Sequence, residues 1–222
     1  MCRSNECWYA RDCIEYKEGC TDYCPTYIKL RYMMDNSGIP ESKQRPIELY
    51  PAKCDLQAFQ RLSEIKDNIY EFVQSGKSLY IGGSITGTGK TTWGMKLLMR
   101  YFEEMAEREG CKVRGIIIHV PTFLNRLKNF KEVDPAFEEL KENIREIDVV
   151  VWDDIASSNI SDYDYAQLLS YIDSRYMNEV ANIYTSNIVS RDDLIKALGA
   201  KLASRIWNSD TEVIEFRGGE RR

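Results

Sequence analysis

The sequence predicts an α/β fold of three layers, in which helices cover both faces of a central parallel β-sheet. Short apolar runs alternate along the chain with longer segments whose apolar residues recur at helical spacing. Two of the short runs, 113–120 and 147–152, are rich in β-branched residues and show little polar alternation, which is typical of strands buried on both faces. Such an alternation of strands and helices favours a parallel sheet.

The predicted elements follow one another from residue 55 onward. An amphipathic helix begins near Asp55 and ends near Gly76, with apolar residues from Phe59 to Val73 on one face. The remaining elements are predicted in this order: strand 78–81, helix 91–108, strands 113–120 and 147–152, a helix around 165–176, strand 182–185, short helices within 191–207, and strand 212–216. Residues 31–53 hold several turn formers and little apolar periodicity, which indicates a linker.

The composition is that of a globular protein outside the membrane. The 222 residues are 43% hydrophobic and 29% charged, which is enough for one domain with a sizeable core. No apolar run approaches the roughly 20 residues that span a bilayer, and no secretory signal is visible. A formal net charge of −5 argues against coating of nucleic acid by bulk electrostatics. We therefore expect a cytoplasmic protein.

The strongest motif lies between strand 78–81 and helix 91–108. It has the form of a phosphate-binding loop (P-loop), in which backbone N–H groups surround phosphates, Lys90 approaches the β- and γ-phosphates, and Thr91 offers its hydroxyl to Mg²⁺. The residues predicted to bind ATP here are Ser84, Thr86, Gly87, Thr88, Gly89, Lys90, Thr91 and Thr92. Ser84 stands where the first glycine of the motif is usual, directly after Gly82 and Gly83. The alternative is a glycine-rich turn without a ligand.

A second motif is the apolar run 149–152 followed by two carboxylates. At the carboxyl end of a parallel strand, Asp153 would reach the Mg²⁺ shell, and Asp154 would orient or deprotonate the attacking water. An acidic pair after a strand is by itself more often a solvated turn. Because this pair lies downstream of a P-loop, we interpret it as a Walker B segment.

Two further sets of polar residues complete the predicted site. Asn187 follows strand 182–185, where it would hold the lytic water, although an asparagine in this position often only caps the next helix. Late basic residues are usually surface groups, but in an oligomeric ATPase one of them would stabilise the γ-phosphate of a neighbour. The candidates for this role are Arg205 and Arg222, among Lys201, Arg205, Arg217, Arg221 and Arg222.

Taken in order, these segments resemble the ATPase domain of bacterial and phage replicative helicase loaders of the DnaC/DnaI type, which are AAA+ ATPases. The resemblance extends over roughly Leu56 to Arg222 and rests on SITGTGKTT, VVVWDDIASS, IYTSNI, LGAKLASRIWN and IEFRGGERR. It implies an AAA+ P-loop domain over 54–222, with these functional positions: Walker A at 84–92, Walker B at Asp153 and Asp154, sensor 1 at Asn187, an arginine-finger region at Lys201 and Arg205, and sensor 2 at Arg222. Lys201 departs from the family, in which arginine is common at this place.

The resemblance also implies a function, namely ATP-controlled delivery of a hexameric replicative helicase onto single-stranded DNA by a homo-oligomer. Tyr163 and Tyr165 are candidates for stacking on bases, with a core position the stronger expectation for Tyr165. Three alternatives stay open. They are a transposition helper with the same ATPase core, a metal-dependent regulatory module with a silent ATPase, and a small-molecule P-loop kinase, which the absence of a lid segment disfavours.

Five of the seven cysteines lie in the first 24 residues. In a reducing compartment such clustering indicates a metal site more than disulfides, so we predict a cysteine-rich module over 1–53. Four thiolates, Cys7, Cys13, Cys20 and Cys24, are predicted to bind zinc, with an Fe–S cluster or unliganded cysteines as rivals. Their spacing is not the common C-x₂-C. The only histidine, His119, ends a predicted buried strand, and we expect it to be structural.

Overall fold

The computed structural model describes Cys7 and residues 23–45, 47–108, 110, 112–128, 134–157 and 160–218. Five strands form one parallel sheet: β1 (Ser78–Gly82), β2 (Gly115–His119), β3 (Val149–Asp153), β4 (Ala181–Ser186) and β5 (Thr211–Glu215). Their order across the sheet is β2-β3-β4-β1-β5. Strand β1 therefore lies in the interior of the sheet, and the chain leaves it toward β2 at the far edge. The predicted parallel sheet is confirmed.

Along the chain, helices precede β1 and separate each strand from the next. In chain order they are α1 (Pro25–Asp35), α2 (Leu56–Asp67), α3 (Ile69–Gln74), α4 (Lys90–Arg108), α5 (Val120–Lys128), α6 (Pro135–Glu146), α7 (Asp162–Met177), α8 (Arg191–Leu198) and α9 (Ala200–Ile206). The single helix predicted over 55–76 is two helices that meet at Asn68, whose φ of −120° and ψ of 34° are not helical. Among the described residues, no helix is both long and apolar enough to cross a membrane.

The sheet separates two hydrophobic cores, which confirms the three-layer architecture. In β3, Val149 and Val151 face the core that helices α1 to α4 cover, whereas Val150 and Trp152 face the core beneath α5 to α9. All four side chains are buried, because successive residues of a strand point to opposite faces and both faces are covered. Strand β3 thus reads as a continuous apolar run in the sequence.

The structure differs from the predicted linker over 31–53. Residues 25–35 form helix α1, and Leu30, Met33 and Met34 bury its inner face in the same core as α4. Beyond the helix, the Ser37 carbonyl accepts a hydrogen bond from the Ile117 N–H at 2.7 Å, so this segment covers the free edge of β2. The buried residues of α1 extend over only about one turn of the helix, which is too short for the apolar periodicity to be recognised in the sequence. The domain division after residue 53 stays a prediction.

A buried arginine connects the amino ends of β3 and β4 to helix α6. The Arg175 guanidinium on α7 is fully buried and donates to Asn182 Oδ1 at 2.8 Å, to the carbonyls of Ile144 and Ile147 at 2.8 and 2.9 Å, and to the Ala181 carbonyl at 2.6 Å. Burial lowers its pKa to about 10, so it remains charged at neutral pH. These contacts fix the two strands whose carboxyl ends carry the predicted site.

Candidate nucleotide-binding site

The P-loop motif lies between the end of β1 and the start of α4, as predicted. Gly87 and Gly89 have φ of 75° and 98°, conformations that residues with a Cβ rarely adopt. They allow the loop to turn back over the first turn of α4, whose N–H groups have no partner within the helix. A helix N-terminus of this kind attracts anions, because its free N–H groups and its dipole point the same way.

Lys90, the first residue of α4, extends its ammonium group into the loop. Its Nζ donates to the carbonyls of Gly83 and Ile85 at 2.7 and 2.9 Å and contacts Thr88 Oγ1 at 3.4 Å. Burial lowers the pKa of Lys90, while the carboxylates of Asp154 and Asp153 act in the opposite sense. The charge is therefore held by carbonyl dipoles at the place where the phosphates of a nucleotide would lie.

Asp153, the last residue of β3, lies directly beneath the start of α4. Its Oδ1 accepts hydrogen bonds from Thr91 Oγ1 and from Thr185 Oγ1, each at 2.7 Å. The side chains of Thr91 and Asp153 thus present two oxygens of the kind that Mg²⁺ prefers, next to the loop that would hold the phosphates. This donor set fits the predicted Mg²⁺ site.

Asp154 differs from its neighbour in exposure and conformation. Its side chain is 34% exposed, and its backbone has a φ of 59°, which places the residue in the left-handed region. The Asp154 N–H donates to Thr185 Oγ1 at 2.9 Å, and Asn187 Nδ2 lies 3.5 Å from Asp154 Oδ1. A carboxylate that faces solvent and contacts an amide can position a water molecule, as the predicted roles of Asp154 and Asn187 require.

Two residues of this site were missed in the sequence. His119 ends β2 in register with Asp153 at the end of β3, and its Nε2 lies 4.0 Å from Asp154 Oδ2. It is exposed and contacts Thr122 Oγ1 through Nδ1 at 2.7 Å, so it lies at the rim of the site rather than in the core. Thr185 contacts both Asp153 and Asp154. The available signal was their place at the ends of parallel strands, where polar side chains meet.

Other predicted residues lie away from this cluster. Arg205 on α9 donates from Nε to Asp173 Oδ1 at 2.6 Å, and its guanidinium lies 4.5 Å from the ring centre of Tyr176 on α7. Lys201 is exposed on the same helix. Arg222 lies outside the described residues. Arg205 is therefore held against α7 by Asp173 and Tyr176 and not against the P-loop of its own chain.

The remaining loop residues and the tyrosines have mixed exposure. Ser84 and Thr86 are exposed, Thr92 is half-buried, and Thr88 is buried with its hydroxyl 3.3 Å from the Ile85 carbonyl. Tyr163 is 47% exposed, whereas Tyr165 is half-buried against the core beneath α5 to α9. The core position expected for Tyr165 is therefore partial.

The predicted zinc site is only partly within the described residues. Cys7 and Cys24 are half-buried, and Cys13 and Cys20 lie outside the part of the chain that the structure describes. Within that part, no group of three or more His, Cys, Asp and Glu side chains could hold a metal ion. The four-cysteine site stays a prediction.

Comparison with solved structures finds this fold in proteins of DNA replication. The crystal structure of the DnaC helicase loader matches with a TM-score of 0.64 at 21% identity, over 84% of this chain and 99% of that chain. The crystal structure of DnaI matches with a TM-score of 0.60 at 23% identity, over 83% and 94%. AMPPCP-bound DnaA from Aquifex aeolicus matches with a TM-score of 0.53 at 18% identity, over 75% of this chain and 48% of that chain.

No protein-family model matches the chain, and the curated proteins contain no match. At identities this low, the likeness to solved structures establishes the fold and leaves the activity to experiment. The chain has the fold of the DnaC and DnaI helicase loaders, as the resemblance of its sequence implies.

Proposed function

We propose that the protein is a Mg²⁺-dependent ATPase that loads a hexameric replicative helicase onto single-stranded DNA. The observation that carries the ATPase part is the meeting of Lys90, Thr91, Asp153, Asp154 and Asn187 at the carboxyl ends of β1, β3 and β4. A cation, a hydroxyl–carboxylate pair and a partly exposed carboxylate thus lie at the same edge of the sheet. This is the set of groups that phosphoryl transfer to water requires.

Each group has a distinct part in the proposed reaction. The loop N–H groups bind the phosphate oxygens, and Lys90 exchanges its carbonyl partners for the β- and γ-phosphates. Thr91 and Asp153 would hold Mg²⁺, which when bound neutralises part of the phosphate charge. Asp154 accepts a proton from the attacking water, which Asn187 orients toward the γ-phosphate.

The second part of the proposal concerns assembly and partners. Because Arg205 contacts α7 rather than its own P-loop, we infer that it stabilises the γ-phosphate bound by a neighbouring subunit. In GTPases, an arginine supplied in this way raises the rate of hydrolysis by about 10³–10⁵. Arg222 would contribute to the same charge. Such a role for Arg205 requires a homo-oligomer. The fold shared with the DnaC and DnaI loaders supports the helicase as the partner. The protein would act in the cytoplasm.

The cysteine-rich segment completes the proposal. Cys7, Cys13, Cys20 and Cys24 would bind Zn²⁺ in a module over residues 1–53 that grips the helicase, while 54–222 forms the ATPase domain. An Fe–S cluster would be seen as visible absorbance of the purified protein, and bound zinc by metal analysis, so the two are separable.

The ATPase part is tested with two variants and a control. Lys90→Ala is expected to weaken binding of a fluorescent ATP analogue by about 100-fold, because the phosphates lose their charged partner. Asp154→Ala is expected to leave binding intact and to lower kcat by about 10²–10⁴. The control is Lys196→Ala on α8, whose ammonium is exposed and bound to Asp193. Equal ATP affinity of the wild type and Lys90→Ala would refute the site.

The loader part is tested by ATP turnover with and without single-stranded DNA and a cognate hexameric helicase. Stimulation by both partners, together with stable co-purification of the helicase, would support it. Turnover that is indifferent to both would favour the transposition helper, and absence of turnover despite ATP binding would favour the silent regulatory module.

A further inference from the structure

Thr185, near the end of β4, makes hydrogen bonds to both carboxylate residues of the site through a single hydroxyl. Its Oγ1 donates to Asp153 Oδ1 at 2.7 Å and accepts from the Asp154 N–H at 2.9 Å. The residue is only 1% exposed. A threonine hydroxyl has one proton and two lone pairs, so this geometry fixes the direction of the proton toward Asp153.

The surroundings of Thr185 leave its side chain little freedom. The strand places it on the face of the sheet that α4 covers, and a Cβ on Gly94 of that helix would lie 3.7 Å from Thr185 Cγ2. Its own carbonyl accepts from the Ile155 N–H at 2.9 Å, so β4 holds the turn after Asp154 through backbone as well as side chain. The branch at Cβ restricts χ1 of this threonine, and the two hydrogen bonds of its hydroxyl restrict it further.

We propose that Thr185 is a positioning residue that couples the Mg²⁺-binding carboxylate to the proton-accepting one. The proposal rests on the proposed ATPase function. Asp153 has two hydroxyl donors on the same oxygen, Thr91 and Thr185. Thr91 and Asp153 would hold Mg²⁺, and Thr185 would orient the Asp153 carboxylate from outside the metal site, while the same oxygen atom of Thr185 holds the backbone of Asp154.

The left-handed backbone of Asp154 explains why a coupling of this kind is needed. A residue with a Cβ adopts a φ of 59° only when its surroundings hold it there. The N–H bond to Thr185 supplies one such constraint at the point where the chain turns out of β3. Loss of the Thr185 hydroxyl therefore removes one hydrogen bond from the Asp153 carboxylate and one from the Asp154 backbone, whereas loss of the Thr91 hydroxyl would remove only a bond to Asp153.

The test compares Thr185→Val, which keeps the shape and removes the hydroxyl, with Thr185→Ser, which keeps the hydroxyl. The matched control is Ser186→Ala, because Ser186 is equally buried on the same strand end, but its hydroxyl donates to the Ile155 carbonyl and contacts neither carboxylate. Binding of a fluorescent ATP analogue is titrated with Mg²⁺ and repeated in EDTA, and kcat and KM are measured separately.

We expect Thr185→Val to raise the Mg²⁺ concentration for half-maximal binding by about 10-fold and to lower kcat by about 10- to 100-fold, as loss of an outer-shell partner does. In EDTA, binding of the ATP analogue by Thr185→Val is expected to differ from that of the wild type by less than about 2-fold. In Thr185→Ser, the Mg²⁺ concentration for half-maximal binding and kcat are expected to lie within about 3-fold of the wild-type values. The control is expected to leave the Mg²⁺ dependence as it is.

Two outcomes would overturn the inference. One is an unchanged Mg²⁺ dependence and kcat in Thr185→Val, and the other is an equal shift in Ser186→Ala, which would indicate a general structural role. If Thr185→Val does not fold by far-UV circular dichroism, Thr185→Ala is titrated in its place against the same criteria. Failure of the wild type to bind ATP would instead refute the proposed function, so the two failures are distinguishable.

Discussion

The buried guanidinium of Arg175 provides a quantitative test of how β3 and β4 are held. Replacing it with methionine keeps an unbranched chain but removes the Arg175 donor from the carbonyls of Ile144, Ile147 and Ala181. Asn182 Oδ1 also loses this donor but keeps the hydrogen bond from Trp152 Nε1 at 3.0 Å. A buried acceptor that loses its partner costs about 1–3 kcal/mol. The gross loss is partly offset, because the folded state no longer has to desolvate a charge.

Taking the lower end of this range for each of the three carbonyls, we expect Arg175→Met to lower the free energy of unfolding by about 3 kcal/mol. This is a large fraction of the roughly 5–15 kcal/mol that stabilises an ordinary domain. The measurement is urea unfolding followed by tryptophan fluorescence and far-UV circular dichroism, with the slope of the transition checked for two-state behaviour.

The matched control is Arg145→Met on α6. Its guanidinium is exposed, lies 4.7 Å from the ring centre of Tyr171 and donates to Ser170 Oγ at 3.3 Å. Loss of such a surface contact is expected to cost less than about 1 kcal/mol. If Arg175→Met lost no more than this control, the carbonyls would have found other partners, and the argument that Arg175 fixes the two strands would be refuted.

Three further predictions concern packing, pH and the C-terminal segment. In Gly94→Ala the new Cβ would lie 2.8 Å from Val151 Cγ1, so we expect the free energy of unfolding to fall by about 1–3 kcal/mol and ATP to bind more weakly. Thermal unfolding and titration with an ATP analogue measure the two effects, and unchanged values would show that α4 can shift freely. Burial raises the pKa of Tyr80 from 10.0 to about 12; because the folded state then keeps a proton that the unfolded chain has lost, stability falls between these pH values by about 3 kcal/mol. Thermal unfolding measured between about pH 9 and about pH 11 should show about half of this fall, and Tyr80→Phe should reduce it. An equal fall in the variant would assign the effect to other groups. The buried carboxylate of Asp55 accepts hydrogen bonds from the N–H groups of Arg217 and Gly218. We expect Asp55→Asn to weaken these bonds and to speed proteolysis of the chain around Arg217 and Gly218. Identical cleavage rates in the wild type and the variant would show that Asp55 does not hold this segment.

The predicted and observed structures agree at β3 and α4, each of which has a clear local pattern. Strand β3 is evident as an apolar run, because a strand covered on both faces needs no polar residue until it reaches the sheet edge. Helix α4 follows a glycine-rich loop and has a wide apolar face, so both its start and its type were predictable. Helices α5 and α6 were not predicted, although Asp134 and Pro135 form a typical helix start at α6.

The sequence by itself determined the fold class, the P-loop and the carboxylate pair, because these depend on residue types at fixed spacing along one short segment. Only the tertiary structure decided which residues from different strands meet. Thr185 lies 32 residues from Asp153, and their contact exists because β3 and β4 are neighbours in the sheet. The order of the strands also brings His119 next to Asp154, and the tertiary packing brings Arg175 next to the amino ends of β3 and β4. Contacts between distant segments are set by strand order and register, which the spacing of residues along the chain does not encode.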